Sequence, residues 1–197
     1  GAGRILDFDI GGGSFEFSTG TNALPDAAMS VPLGAGRLTR EFFDEQPPKP
    51  KQVKRLRKYV REQIAPVAEN LLRYGTPDMT VGTSKTFRSL ARICGAAPYS
   101  AGPHVKREMH LQDLRLWTRR MEAMTVEERS DLPGVSQARA EQMLAGAIAA
   151  EAAMEAFGVE TMRVCPWALR EGLILKRIEH LAEGTGTPVN PKTLLGE

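Results

Sequence analysis

The stretch that most constrains what this chain can fold into is Asp9-Ile10-Gly11-Gly12-Gly13-Ser14-Phe15-Glu16. An apolar run from Arg4 leads into it, three glycines follow, and a second strand-like run extends from Ser14 to Thr19. Two strand patterns joined by a glycine turn read as a β-hairpin. Glycine has no Cβ, so it can take positive φ and lets another group come close to the backbone. Successive N–H groups in such a turn form a concavity that binds anions. Asp9 and Glu16 flank the turn, and carboxylates there suit a metal that screens a bound phosphate. A plain glycine turn accounts for the same spacing. Two familiar phosphate loops do not occur. Glu16 stands where G-x-G-x-x-G needs its third glycine, and no helix follows directly. Gly82-Thr83-Ser84-Lys85-Thr86 has the letters of a P-loop without its spacing.

Composition narrows the setting. A chain of 197 residues fits one domain and buries most of its apolar surface without staples. A net charge of +2 gives no bulk reason to bind nucleic acid or a membrane surface. No uncharged apolar run reaches the length of a membrane span. Cys94 and Cys165 lack metal spacing and read as buried thiols of a reducing compartment, which points to the cytoplasm. His104, His110 and His180 form no ligand motif.

The chain in order predicts an antiparallel meander, Arg4–Ile10, Ser14–Thr19 and Ala28–Leu33, with Phe15 and Phe17 on one face and Glu16 on the other. Gly34-Ala35-Gly36-Arg37 then leads into a short helix, Leu38–Phe43. It is either a strand-to-helix turn or a second phosphate-facing loop with Arg37 as charge partner. A long helix runs over Lys51–Arg73, with Val53, Leu56, Val60, Ile64, Val67 and Leu71 on one stripe. Pro66 predicts a kink or break in it. Its basic residues form a solvated face or a track for a polyanion. Met79–Val81 is a fourth strand. Gly82, Thr83 and Ser84 open a helix to Cys94 whose N-terminus is capped by Thr83 or Ser84, or receives an anion. After a loop over Ala96–Val105, helices are predicted at Met109–Met121, after a capping box at Thr125–Glu128, and from Ser136 to Phe157. Gly158 ends the last of these. Thr161–Cys165 is a fifth strand, followed by a helix over Ala168–Leu181 and a fraying tail from 184 to 197. The order β-β-β-α-β-α-β-α, with helical insertions, predicts an α/β domain over 1–183. Its mixed five-stranded sheet has the ribonuclease-H-like pattern.

These residues resemble the exopolyphosphatase/guanosine pentaphosphate phosphatase family of the actin-like ATPase superfamily. Asp9–Glu16 is similar to its second phosphate motif, usually D-I-G-G-G-S-T-E. Val31–Thr39, Val81–Ile93, Leu132–Ala147 and Ala168–Leu173 resemble further segments of that family in the same order, so the likeness covers Arg4 to Leu181. The resemblance implies a phosphate grip by Gly11, Gly12, Gly13 and Ser14. It implies Mg²⁺ or another divalent metal held by Asp9 and Glu16, with Arg37, Gly82, Thr83 and Ser84 as secondary candidates. It also implies hydrolysis of terminal phosphoanhydride bonds of polyphosphate or guanosine pentaphosphate. The family's first phosphate loop and its water-activating glutamate belong to a preceding domain. The chain is therefore expected to be the second domain of the core, inactive alone, with that N-terminal domain as partner. Phe15 replaces the motif's threonine, which removes one hydroxyl.

Two other readings remain at this point. One is a non-catalytic polyphosphate- or nucleotide-binding regulatory module. The other is a sugar or acetate kinase-like relative, for which no substrate motif is visible. A homodimer through an exposed apolar face is a further expectation.

Overall fold

Along β1 (Ile5–Ile10) the buried residues are Leu6, Phe8 and Ile10, and along β2 (Phe15–Gly20) they are Phe15, Phe17 and Thr19. This alternation commits one face of the hairpin to the core and leaves Asp7, Asp9 and Glu16 together on the other. The structure is a computed structural model that describes residues 3–165 apart from Ala23 and Pro103. β3 (Ala27–Val31) completes the antiparallel meander. Then come α1 (Ala35–Phe42), α2 (Pro50–Leu72), β4 (Met79–Gly82) and α3 (Lys85–Ile93). β5 (Glu108–His110), α4 (Leu111–Met121), α5 (Val126–Ser130), α6 (Gln137–Ala140), α7 (Met143–Ala156) and β6 (Thr161–Val164) follow.

The described sheet has the order β3-β2-β1-β4-β6-β5. β4 runs parallel to β1, and β6 parallel to β4, so each of these pairs needs a crossover connection. This is the ribonuclease-H-like arrangement of the actin-like ATPases, with six strands where the sequence predicts five. The extra strand, β5, pairs antiparallel with β6 at the edge. Its three residues are too few to show a period. The helix expected from Met109 therefore begins at Leu111.

The core centres on α7, whose Met143 to Met154 are all buried. A helix apolar on every side belongs in an interior, and α7 packs against α1, α2, α3 and α4. Gly146 lets it approach closely, because a Cβ there would stand 2.8 Å from Thr86 Cγ2 and 3.3 Å from Ala35 Cβ. Between α7 and the sheet sits an aromatic cluster. Phe8 meets Phe17 edge-on at 5.2 Å, Phe15 stacks on Phe17 at 4.0 Å, and Phe157 and Phe87 close the sides.

One helix expectation is corrected, and a second is narrowed from a kink or break to a continuous helix. The predicted Ser136–Phe157 helix is divided between α6 and α7. At the junction the Glu141 carbonyl accepts hydrogen bonds from the Arg129 guanidinium (3.4 Å) and from Gln46 Nε2 (3.5 Å). Ser136 makes no side-chain cap there. The break allowed for at Pro66 does not occur, and α2 is continuous through it. Pro66 lies exposed, while Val53, Leu56, Val60, Ile64, Val67 and Leu71 anchor the buried stripe on both sides. The Thr125–Glu128 capping box forms as expected, with bonds of 3.2 and 2.8 Å. Gly95 and Gly158 take positive φ at the ends of their helices. The helix predicted over Ala168–Leu181 and the tail 184–197 lie outside the described residues. No described helix is long and apolar enough to cross a membrane.

Candidate phosphate-binding site

Asp9 and Glu16 face each other directly in the antiparallel register of β1 and β2. Opposed residues share a face, with Cβ atoms about 4.5–5.5 Å apart. The hairpin loop between them is closed by Gly11 N–H donating to the Ser14 carbonyl at 2.9 Å. Gly12 and Gly13 are exposed, and their amides donate to no acceptor among the described residues. None of the three loop glycines uses positive φ.

The close approach that glycine permits is made by a different residue. A Cβ on Gly34 would lie 2.4 Å from Gly13 N, Gly13 C and Ser14 N. The loop before α1 therefore rests against the backbone of the first loop. Ala35 N–H donates to the Gly11 carbonyl (3.0 Å) and Arg37 N–H to the Gly12 carbonyl (2.8 Å). The glycine carbonyls are held by the N-terminus of α1, which leaves the outer amides of the loop clear.

The secondary candidates separate. Thr83 is brought into the site, its hydroxyl donating to Asp9 Oδ2 at 3.1 Å. Ser84 caps α3, accepting from Phe87 N–H at 3.2 Å. Gly82 is packed under Phe87, whose Cγ would be 2.8 Å from an added Cβ. Arg37 reaches the loop through its amide only, since its Nε donates to Glu41 at 2.8 Å. That is the geometry of a strand-to-helix turn. Phe15 is fully buried in the aromatic cluster. A side chain at that position faces the core, so the hydroxyl exchanged for a ring is not one that the cleft side loses.

Three residues join the site that sequence patterning did not single out. Ser30, across from Glu16 on β3, donates its hydroxyl to Glu16 Oε1 at 3.1 Å. Arg88 on α3 adds positive potential at Asp9. Asp7 lies two residues before Asp9 on the same face. Its Oδ1 is shut off from solvent and has no hydrogen-bond partner among the described residues. The Asp7–Asp9 alternation in an otherwise apolar strand is the signal that could have found it. Burial, then repulsion from Asp9, pushes the Asp7 carboxyl up to about 6, and a Thr83 hydrogen bond opposes this. Burial also raises Asp9; Thr83 and Arg88 pull it back, and Glu16 adds to the rise.

A divalent cation fits this donor set. The raised proton affinities of Asp7 and Asp9 and the orphaned Asp7 Oδ1 mark an under-compensated negative locus. No group of three or more His, Cys, Asp or Glu with ligand geometry occurs among the described residues. Mg²⁺ needs none, because it keeps several waters and takes one or two carboxylates together with substrate phosphate oxygens. The thiols play no part: Cys94 and Cys165 are half-buried and unpaired, and burial pushes Cys94 up to about 12.

The model of the Ppx/GppA phosphatase family matches residues 1–181. The chain belongs to that family. Exopolyphosphatase 1 of Mycobacterium leprae is 49% identical over 184 residues, covering 93% of this chain and 54% of the relative. Exopolyphosphatase 1 of Mycobacterium tuberculosis is 50% identical over the same length and coverage. The crystal structure of the Aquifex aeolicus family member superposes with a TM-score of 0.79 at 26% identity, over 94% of this chain and 58% of that one. The chain thus spans about half the length of the curated relatives it matches.

Proposed function

We propose that this chain is the phosphate-gripping half of a metal-dependent phosphohydrolase that removes terminal phosphates from polyphosphate or guanosine pentaphosphate. The observation that carries the reading is the placement of Asp9 and Glu16 opposite one another beside a loop whose Gly12 and Gly13 amides are open. The names of the mycobacterial relatives favour polyphosphate as substrate.

In this reading the amides of Gly12, Gly13 and Ser14 bind phosphate oxygens, and α1 keeps the loop rigid through the Gly11 and Gly12 carbonyls. Thr83 orients Asp9 and Ser30 orients Glu16, so both carboxylates present to the same point. A divalent cation bound there supplies neutralisation of charge on the phosphoryl and leaving oxygens. In this reading, as the family resemblance implies, the water-activating carboxylate belongs to a preceding domain. The chain alone then binds without turning over, and the working protein is cytoplasmic.

The test is phosphate release from polyphosphate and guanosine pentaphosphate with Mg²⁺, using this chain and a longer protein that includes the preceding domain. Release by the longer protein alone, lost in Glu16→Ala, is the expected result. Release by neither protein overturns the hydrolase reading in favour of a binding module.

A further inference from the structure

We propose that Arg40 is a substrate-binding residue, its guanidinium taking the second phosphate of a polyphosphate chain whose terminal phosphate lies on the Gly12–Gly13 loop. The inference rests on the functional reading above and adds a residue to it. Arg40 stands in the last turn of α1, and helical side chains lean back toward the N-terminus of their helix. That carries Arg40 over Gly36, about one turn earlier, toward the loop that α1 braces. A Cβ built on Gly36 would lie 3.3 Å from Arg40 Nη1, 3.2 Å from the Gly12 carbonyl oxygen and 3.0 Å from Gln142 Oε1. The guanidinium, the glycine loop and the Gln142 amide therefore border one methyl-sized gap. Gly36 lies within α1 without positive φ, where glycine is less favourable than alanine. What the missing side chain supplies there is room for the guanidinium to reach the loop.

The state of its charge separates Arg40 from its neighbours. Arg37 on the same helix is matched by Glu41 at 2.8 Å. On α2, Arg57 is matched by Glu122 and Glu151, and Arg61 by Glu155. Arg40 is exposed and has no ion pair or side-chain hydrogen bond among the described residues. Its guanidinium stands beside a carbonyl of the phosphate loop, with no carboxylate to neutralise it. The carboxylates of the site, Asp9 and Glu16, are bonded to Thr83 and Ser30, and in the functional reading the cation they hold offsets the terminal phosphate. Each further phosphoryl group of the chain carries negative charge of its own. A guanidinium matches phosphate oxygens with a planar fork of donors, and Arg40 presents one at the edge of the loop.

The experiment measures phosphate release by the full-length protein with Mg²⁺, from tripolyphosphate and from long-chain polyphosphate, over a range of salt concentrations. It compares wild type with Arg40→Gln, Arg40→Lys and, as a charge-matched control at the far end of α2, Arg73→Gln. The expected result is that Arg40→Gln raises KM for both substrates about tenfold or more, by more than any change in kcat. The salt dependence of KM should flatten, because one cation–phosphate contact is gone. Arg40→Lys keeps the charge without the fork and should recover part of the loss. Arg40→Gln should melt with wild type, since the side chain has no bond to lose among the described residues. Unchanged KM in both Arg40 variants, with wild type active, overturns the role of Arg40 and leaves the functional reading standing. A lower kcat and melting temperature at unchanged KM would make the guanidinium a brace for the loop and overturn it too. An equal rise of KM in Arg73→Gln, or a rise confined to long chains, overturns the contact with the second phosphate. No release by wild type from either substrate removes the functional reading and this inference with it.

Discussion

Replacing Gly34 with alanine should push two loops apart without straining the residue that is changed. Gly34 has φ −65° and ψ 144°, a conformation that alanine adopts freely. Any effect must therefore come from the added methyl group. It would sit 2.4 Å from Gly13 N, Gly13 C and Ser14 N, whereas carbon atoms pack at about 3.5–4.0 Å. All three obstacles are backbone atoms that no rotamer change can move. The loops must separate by roughly 1 Å. That stretches the Ala35–Gly11 and Arg37–Gly12 hydrogen bonds, now 3.0 and 2.8 Å. Two bonds at about 1 kcal/mol each and about 1–3 kcal/mol of overpacking give a loss of about 3–5 kcal/mol. If the loop grips phosphate as proposed, a displacement of about 1 Å should also cost on the order of a hundredfold in turnover. Urea denaturation reads the first quantity, and phosphate release by the full-length protein reads the second. If Gly34→Ala unfolds at the wild-type midpoint and turns over normally, then the loops do not meet as described and the grip is not built from their contact.

Thr83→Val removes the hydroxyl that donates to Asp9. Because that bond lowers the Asp9 pKa, the acid limb of the activity profile should move to higher pH, and an unmoved limb would break the link between Thr83 and the site. Asp7 titrates at about 6 rather than 3.8, so the folded state holds a proton that the unfolded chain has lost. In metal-free protein its contribution to stability is present below pH about 4 and declines as pH rises to about 6, by at most about 3 kcal/mol. Asp7→Asn should flatten that decline in melting curves taken across the range. Arg129 is fully buried and donates to the carbonyls of Met121, Met124 and Glu141. Arg129→Ala should cost about 3 kcal/mol or more, and guanidinium titration showing less than 1 kcal/mol would mean that the α6–α7 junction does not depend on it. Phe15→Ala should cost about 3–5 kcal/mol, measured in the same way, from a ring fully buried against Phe17.

Much of the fold was legible because short-range rules governed it. The period-two pattern of Leu6, Phe8 and Ile10 and of Phe15 and Phe17 places the hairpin and its buried face. The 3.6-residue stripe of α2 and the capping box at Thr125 place helices without reference to neighbours. The grouping of Asp9 with Glu16 around three glycines follows from hairpin register alone. The edge strand β5 was not legible, since a run of three residues becomes a strand only because β6 lies beside it. Nor was the break before α7, which coincides with a carbonyl held by a guanidinium twelve residues earlier in the chain.

Within the site the same division holds. The residue types and their face come from the sequence, because strand geometry fixes which side chains point together. The state of each residue was decided by packing between segments far apart in the chain. Gly34 is a spacer because Gly13 lies against it. Arg37 faces Glu41 while its amide holds the Gly12 carbonyl. Thr83 serves Asp9 and Ser84 serves a helix end, though the two are neighbours. Asp7 Oδ1 becomes a closed-off oxygen without a partner among the described residues only in the assembled sheet, where β4 pairs along the strand's other edge. Local sequence sets backbone preference and facing; desolvation and close approach are properties of surfaces in contact, and those exist only in the assembled fold.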